Sequence, residues 1–344
     1  MNTLKSAQSN RPATWEGQHS VQRSLQTTWI QHHDALSFLF VFFAAMVTAI
    51  VASKFHSNAS YSSYVNHGCV ARPVDHVPCG ILDEDLQSEN FIFTGLLIVL
   101  SVLPILVGAF VGAPLLSKEL ESGTFRFSWT QGIGRVRYFL TTFAVFSGFL
   151  LLIAVTIGLL FGNWYAHPFE VAGATSHWQA GLFETTSWLL TAWSLFALAC
   201  GCFVGAVFRR TVAAIAASTL VVGGVLVAAF RTLPRFLEFF SLSSSKYLPS
   251  GIGNQLERGV GWVVGSYMTG PNKQVISGIA ALRVLDRAHS AKLGASRWLT
   301  SHGYTFWTSY QPSSHFWLLQ GIEGLVVLSI AALLVWGTVR RISR

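Results

Sequence analysis

Six long apolar runs, separated by polar segments, dominate the hydropathy pattern of this chain. Each run is close to the roughly 20 residues that a helix needs to cross a bilayer at about 1.5 Å per residue. The predicted spans are Ala35–Ala52, Phe91–Val111, Tyr138–Phe161, Ser187–Phe208, Thr211–Phe230 and Phe316–Val339. The pattern therefore predicts an all-α, polytopic membrane protein with six transmembrane helices.

The polar segments divide the chain further. Residues 1–34 form a polar tail, in which apolar side chains at helical spacing indicate a helix lying in the membrane interface, with a disordered tail as the alternative for its first residues. Residues 35–230 hold the first five spans, and residues 316–344 hold the sixth span and a basic tail. Within residues 231–315, apolar side chains recur at helical spacing between Val275 and Leu285. We therefore predict a helical extracytoplasmic segment between the fifth and sixth spans.

Charge supports a membrane protein and indicates its orientation. Only 11% of the 344 residues are charged, against roughly 25% in a soluble domain. The formal net charge of +8 does not indicate a nucleic-acid partner, because the basic residues collect at the ends of apolar runs instead of forming a Lys/Arg-rich stretch. With six spans, twelve Lys and Arg residues fall on one side of the membrane, whereas the short loops on the other side hold only Lys54 and Arg72. The positive-inside rule therefore places both termini in the cytoplasm, in a multi-pass protein of the cell membrane.

The loop between the second and third spans, Gly112–Tyr138, carries a dense set of charged residues beside the membrane. Pro114 lies near its start, and the residues that follow predict a short helix over residues 114–122. Gly123 comes directly after this helix and suits a left-handed helix cap. A charged helix held between two spans is suited to receive a push from a soluble partner. The aromatic residues and arginine that follow are typical of interfaces. A solvated loop, or anchoring in the lipid headgroups, would explain the same composition.

Two other spans contain candidate residues. Glu323 is the only acid inside an apolar run, and we predict that Glu323 and Gln320 contribute to a substrate path or gate. The alternative is that Glu323 reaches the interface or pairs with Arg231 or Gln320. Gly201 and Gly205 form a G-x-x-x-G motif, which lets two helices approach closely. Packing within the hairpin of the fourth and fifth spans is favoured here over a seam between two protomers.

Cysteines and catalytic motifs narrow the function classes. Cys69 and Cys79 lie in a predicted extracytoplasmic segment, where a disulfide closing a short loop is worth about 2–3 kcal/mol; two free thiols are the alternative. None of the six lysines follows a glycine, so the chain has no G-x-x-x-x-G-K-[ST] loop for a nucleotide. The eleven histidines are scattered and no H-E-x-x-H occurs, so no metal site is predicted. We expect no cofactor in this chain and no enzymatic activity of its own.

Three stretches of the chain resemble the permease subunits of type-two ABC exporters, particularly the short ones common in actinobacteria. They are GAPLLSKELESGTFRFSWTQGIGRVRY at 112–138, FALACGCFVGAVFRRTVAAIAA at 196–217 and SYQPSSHFWLLQGIE at 309–323. The stretch TTWIQHHDAL at 27–36 resembles the segment before the first span of that family. It departs from the family by having Ile30 and His33 where arginines are usual.

The resemblance implies a complex of two permease protomers, expected here to be a homodimer, with two ABC ATPase subunits that bind ATP and Mg²⁺. Residues 114–122 would be the cytoplasmic coupling helix, which in such families sits in a cleft of the ATPase. The residues that we assign to this contact are Leu116, Lys118, Glu119, Glu121, Gly123, Thr124 and Arg126. The first and fifth spans would lie at the protomer interface, in contact with membrane lipids elsewhere.

The function predicted from this resemblance is ATP-driven export of a hydrophobic or amphipathic substrate, such as a drug, antibiotic, lipid or peptide. A role in multidrug or antibiotic resistance would follow from it. The alternative is an ABC-type sensor subunit, which responds to an extracellular antibiotic or peptide without net transport. A membrane enzyme would need a paired nucleophile and base within the bilayer, which Glu323 alone does not supply.

Overall fold

The computed structural model describes residues 13–69, 77–123, 134–165, 182–239, 244–247, 261–276, 278–290, 295–312 and 316–343. Within these residues, six helices are long and apolar enough to cross a membrane. They are Leu39–Asn66, Phe91–Ser122, Arg135–Gly162, Ser187–Phe208, Thr211–Ala229 and Phe316–Ser343. The all-α, six-helix prediction is confirmed at this level, although the ends of several helices differ from the predicted ones.

The helices extend beyond the predicted spans. In chain order they are α1 (Ala13–Asn66), α2 (Val77–Leu106), α3 (Ala113–Ser122), α4 (Arg135–Gly158), α5 (Ser187–Phe208), α6 (Thr211–Phe239), α7 (Ile279–His289), α8 (Ala295–Ser301) and α9 (Phe316–Ser343). Two π-helical segments, Val107–Gly112 and Leu159–Tyr165, continue α2 and α4. The helix expected in the tail is therefore the first part of α1, continuous with the first span.

The fourth span, α5, lies at the centre of the bundle. In its apolar window 83% of the residues are buried, against 22% in the first span and 22% in the fifth. It packs against α3, α4, α6 and α9. One apolar cluster joins α5 to the first three spans, and a second joins it to α6 and α9. The other spans are therefore arranged around α5.

The bundle has two ends that carry different chemistry. We call the end formed by Ser122, Arg135, Arg209 and Arg340 the terminal face, because α3, α5 and α9 end there and α4 and α6 begin there. At the opposite face, a disulfide joins Cys69, after α1, to Cys79 in the first turns of α2, with an S–S distance of 2.05 Å. Both cysteines are buried in a small cluster with Tyr64. This bond ties the first helix to the second at the opposite face.

The segment between the fifth and sixth spans is not wholly helical, which corrects the prediction for residues 231–315. Its described residues contain an antiparallel sheet in the order β1-β4-β2-β3. The strands are β1 (Ser244–Tyr247), β2 (Gly261–Thr269), β3 (Val275–Ile276) and β4 (Thr305–Pro312). The two long strands are rich in β-branched and aromatic residues, which favour a pleated surface over a helix. Helix α7 begins only after Gly278, whose φ of 60° breaks any continuation from β3.

Candidate functional site

The predicted coupling helix is a direct continuation of the second span. Helix α2, the π-helical segment and α3 follow one another without a break from Val77 to Ser122. Pro114 lies in the first turn of α3, directly after the π-helical segment. A proline lacks an amide donor and displaces the carbonyl four residues earlier, so a wider turn at this point lets the helix continue. The expected short helix is therefore the rigid tip of a long one.

Gly123 ends this tip as predicted. Its φ of 70° and ψ of 1° are left-handed, a conformation that glycine adopts without a steric penalty. The residues assigned to partner contact differ in exposure, since Leu116 is buried while Lys118 and Glu121 are exposed. Thr124 and Arg126 lie outside the described residues. The described part of the predicted contact is therefore a narrow exposed strip at the end of α3.

Glu119 joins the tip of α3 to the start of the third span by a hydrogen bond. The hydroxyl group of Tyr138, in the first turn of α4, donates a hydrogen bond of 2.6 Å to Oε1 of Glu119. This distance lies within the usual range for a hydrogen bond between a hydroxyl donor and a carboxyl oxygen. The side chain of Glu119 is half-buried, so part of it packs against the bundle.

Glu121 joins the same tip to the fifth span by a hydrogen bond. Its Oε2 atom accepts a hydrogen bond of 2.8 Å from the backbone amide of Thr211, the first residue of α6. A carboxylate at this position satisfies an amide that the helix leaves without a partner, and it interacts favourably with the helix dipole. The buried hydroxyl group of Ser117 lies 3.5 Å from that of Thr211 and donates to the carbonyl oxygen of Ala113 at 2.8 Å. The tip of α3 therefore holds both α4 and α6.

Gly201 and Gly205 bring α5 against the second span. A Cβ atom added to Gly201 would lie 2.3 Å from the carbonyl oxygen of Gly108 and 2.7 Å from the amide of Ala113, and one added to Gly205 would lie 2.6 Å from the carbonyl oxygen of Ala113. The motif thus packs within the chain, as favoured above. Its partner is the second span, however, and not the fifth span that the tight hairpin suggested. The two backbones touch with no layer of side chains between them.

Glu323 and Gln320 lie together toward the opposite face, buried between α9 and α5. The indole N–H of Trp193 donates to Oε1 of Glu323 at 3.0 Å, and Nε2 of Gln320 donates to the hydroxyl group of Thr186 at 2.6 Å. Oε2 of Glu323 and Oε1 of Gln320 have no hydrogen-bond partner among the described residues. Both side chains point into the protomer, where they join the fourth and sixth spans.

Sequence reasoning missed the partners of these groups. The partners predicted for Glu323 were Arg231, Gln320 or the interface, and in the structure its hydrogen bond is with the indole group of Trp193. A buried Trp needs an acceptor for its N–H, so a Trp inside an apolar span was a signal for this pairing. No group of three or more His, Cys, Asp and Glu side chains that could hold a metal ion occurs in the described residues.

Comparison with known proteins identifies the family. A family model described as ABC-2 membrane transporter related matches residues 40–234, which is more than half of the chain and reaches from the first span to the fifth. No curated protein and no solved structure matches the chain. The matched range contains the tip of α3, both of its carboxylate contacts and the contact between Gly201 and the second span. The chain therefore belongs to the ABC-2 membrane transporter related family and is a membrane transporter permease.

Proposed function

We propose that this chain is the permease subunit of an ATP-driven exporter, which moves a hydrophobic or amphipathic substrate out of the cell. Family membership and six spans support a transport role. The sequence has no phosphate-binding loop, so ATP and Mg²⁺ would be bound by a separate ATPase subunit and this chain would be non-catalytic. The positive-inside rule favours a cytoplasmic terminal face, with residues 231–315 outside the cell.

One observation carries the proposal: the tip of α3 is hydrogen-bonded to two other spans. Glu119 holds the start of α4 and Glu121 holds the start of α6, while Gly201 keeps α5 in backbone contact with the same helix. A force applied to the exposed strip at Lys118 would therefore reach four spans directly. A loop that served only to connect two spans would not need these contacts.

The proposed mechanism is alternating access. Two ATPase subunits close on ATP, push the α3 tips of two permease protomers, and so shift the population from an inward-open to an outward-open state. The first and fifth spans leave most of their residues outside the buried interior, which provides surface for a second protomer as well as for lipid. A homodimer is the simplest such assembly, since identical surfaces close on themselves about a two-fold axis.

The experiment separates partner binding from transmission of force. The full chain is purified from its native membrane, and a co-purifying P-loop ATPase is identified and reconstituted with it in vesicles. Lys118→Glu, on the exposed strip, is expected to weaken ATPase association by about tenfold or more, as for charge changes at interface hot spots. Tyr138→Phe, inside the protomer, is expected to leave association unchanged but lower transport per ATP hydrolysed.

A matched control is Arg283→Glu, because Arg283 is also exposed but belongs to the segment beyond the fifth span. It is expected to change neither association nor transport. Transport by the isolated chain without an ATP-hydrolysing partner would refute the proposal. Substrate-dependent ATPase activity with no movement of substrate between the two sides would instead favour a sensor.

A further inference from the structure

Three arginines converge on one cleft at the terminal face. The cleft has a volume of about 560 Å³ and is lined by Arg209, Gly337, Arg340 and Arg341. Arg209 lies between α5 and α6 and has a left-handed φ of 54°. Its backbone N–H donates a hydrogen bond to the carbonyl oxygen of Gly205. The other two arginines come from the last turn of α9. Guanidinium groups from two parts of the chain therefore share one concave site.

These arginines lack an anionic partner in the described part of the chain. No hydrogen bond or ion pair joins Arg209, Arg340 or Arg341 to a carboxylate there, and the polar contact of Arg340 is with the face of Trp336, at 3.9 Å from the ring centroid. Like charges within one cleft repel each other. The positive-inside rule requires basic residues on this side of the membrane, but it does not require them to converge. Their convergence indicates an anion that is supplied from outside the described part of the chain.

The surroundings indicate which anion. Arginine binds the oxygens of phosphate bidentately, and three guanidinium groups suit a phosphate group better than a single carboxylate. Trp336 is 54% exposed on the outside of the sixth span, one turn from Arg340. Tryptophan at the end of a membrane helix lies at the level of the lipid headgroups. Gly337 also lines the cleft, and a Cβ atom added to it would lie 3.1 Å from the ring of Phe203.

We propose that this cleft binds the phosphate group of an anionic phospholipid in the leaflet on the side of the terminal face. The lipid joins the link between α5 and α6 to the end of α9, and no hydrogen bond connects that link to the end of α9 among the described residues. Binding therefore stabilises the terminal face of the protomer. The proposal does not depend on the direction of transport or on an ATPase partner.

The test uses the full chain in nanodiscs that contain phosphatidylcholine with or without phosphatidylglycerol. The cleft variant carries Arg209→Gln, Arg340→Gln and Arg341→Gln. The control carries Lys273→Gln, Arg283→Gln and Arg287→Gln, which removes the same charge from exposed positions in the segment beyond the fifth span. Phosphatidylglycerol is expected to raise the unfolding temperature of the wild type and the control but not of the cleft variant. Bound phosphatidylglycerol counted by native mass spectrometry is expected to fall about tenfold in the cleft variant alone.

Further variants and controls distinguish this site from diffuse electrostatic attraction and from a site for a soluble anion. A variant with lysine at the three arginine positions keeps the orientation signal, and it is expected to bind several-fold more weakly than the wild type because it loses bidentate contacts. If the Lys variant fails to insert, Arg341→Gln alone is expected to reduce bound phosphatidylglycerol measurably. Equal loss in the control and the cleft variant would overturn the proposal in favour of diffuse attraction. Stabilisation by inorganic phosphate in detergent, with no preference for phosphatidylglycerol in nanodiscs, would overturn it in favour of a soluble anion.

Discussion

Replacing Gly201 by alanine tests the closest contact in the bundle. The added Cβ atom would lie 2.3 Å from the carbonyl oxygen of Gly108 and 2.8 Å from Cα of Gly112. To reach an ordinary contact distance, α5 has to move away from the second span by about 1 Å. The atoms in the way are backbone, so no side-chain rotation relieves the clash.

The expected cost follows from two opposing effects. Overpacking a tightly packed interior costs about 1–3 kcal/mol. Alanine in place of glycine returns up to about 1 kcal/mol through its better helix propensity. Because the obstacle is the backbone of a second helix, we expect Gly201→Ala to lower the free energy of unfolding by about 1–2 kcal/mol.

The measurement is thermal unfolding of the purified chain in detergent, followed by the loss of the monodisperse peak in size-exclusion chromatography. The matched control is Gly148→Ala in the third span, where an added Cβ atom meets nothing within 4 Å. We expect the control to unfold at or slightly above the wild-type temperature and Gly201→Ala to unfold several degrees below it. Equal unfolding temperatures for the two variants would show that the helices are not in backbone contact, and the reasoning would fail.

Three further predictions concern other contacts of the described structure. Tyr138→Phe removes the bond to Glu119 and is expected to lower stability by about 1–2 kcal/mol in chemical unfolding, with no loss if that bond is absent. Trp193→Phe leaves both oxygens of Glu323 without a donor and is expected to lower the free energy of unfolding by about 1–3 kcal/mol. The double variant with Glu323→Leu is expected to recover part of this loss, because it removes the carboxylate that lacks a donor. Cys69→Ser is expected to lower stability by about 2–3 kcal/mol and to abolish the effect of reductant on the unfolding temperature, whereas persistent sensitivity to reductant would contradict the pairing with Cys79.

The positions of the spans were predictable from hydropathy because bilayer thickness fixes the length of apolar sequence that a helix needs. The ends of the helices were not, because a helix that leaves the hydrocarbon carries polar residues and loses that signal. Helix α1 therefore continues to Asn66, well past the predicted end of its span, and α2 begins at Val77. Gly123 was the exception, since glycine marks a helix end by its own conformational freedom.

The sheet beyond the fifth span could not be predicted from local spacing. Val275 and Ile276 fit a helical period together with Leu285, but a two-residue strand is too short to show a period of its own. Strand β1 pairs with β4 at Lys246 and Thr308, 62 residues apart, and no local pattern reveals such a pairing. Long-range pairing therefore decided the structure where local periodicity was ambiguous.

The candidate site was predictable in position but not in its contacts. The charges of Glu119 and Glu121 favoured contact with a partner, and the sequence did not reveal that each carboxylate also accepts a hydrogen bond from another span of the same protomer. Their partners, Tyr138 and Thr211, are 19 and 90 residues away in the chain. Only the packing of the spans around α5 brings these groups together.

The contacts around α5 bear on how the proposed push would be converted into transport. A displacement of the α3 tip cannot be absorbed by sliding between the second and fourth spans, because Gly201 and Gly205 leave no deformable layer of side chains between their backbones. Glu119 and Glu121 carry the same displacement to α4 and α6, and the Trp193–Glu323 bond joins α5 to α9. Densely packed elements move as rigid bodies. The protomer is therefore expected to rotate largely as a unit, so that access to the substrate changes where two protomers meet and not within either one.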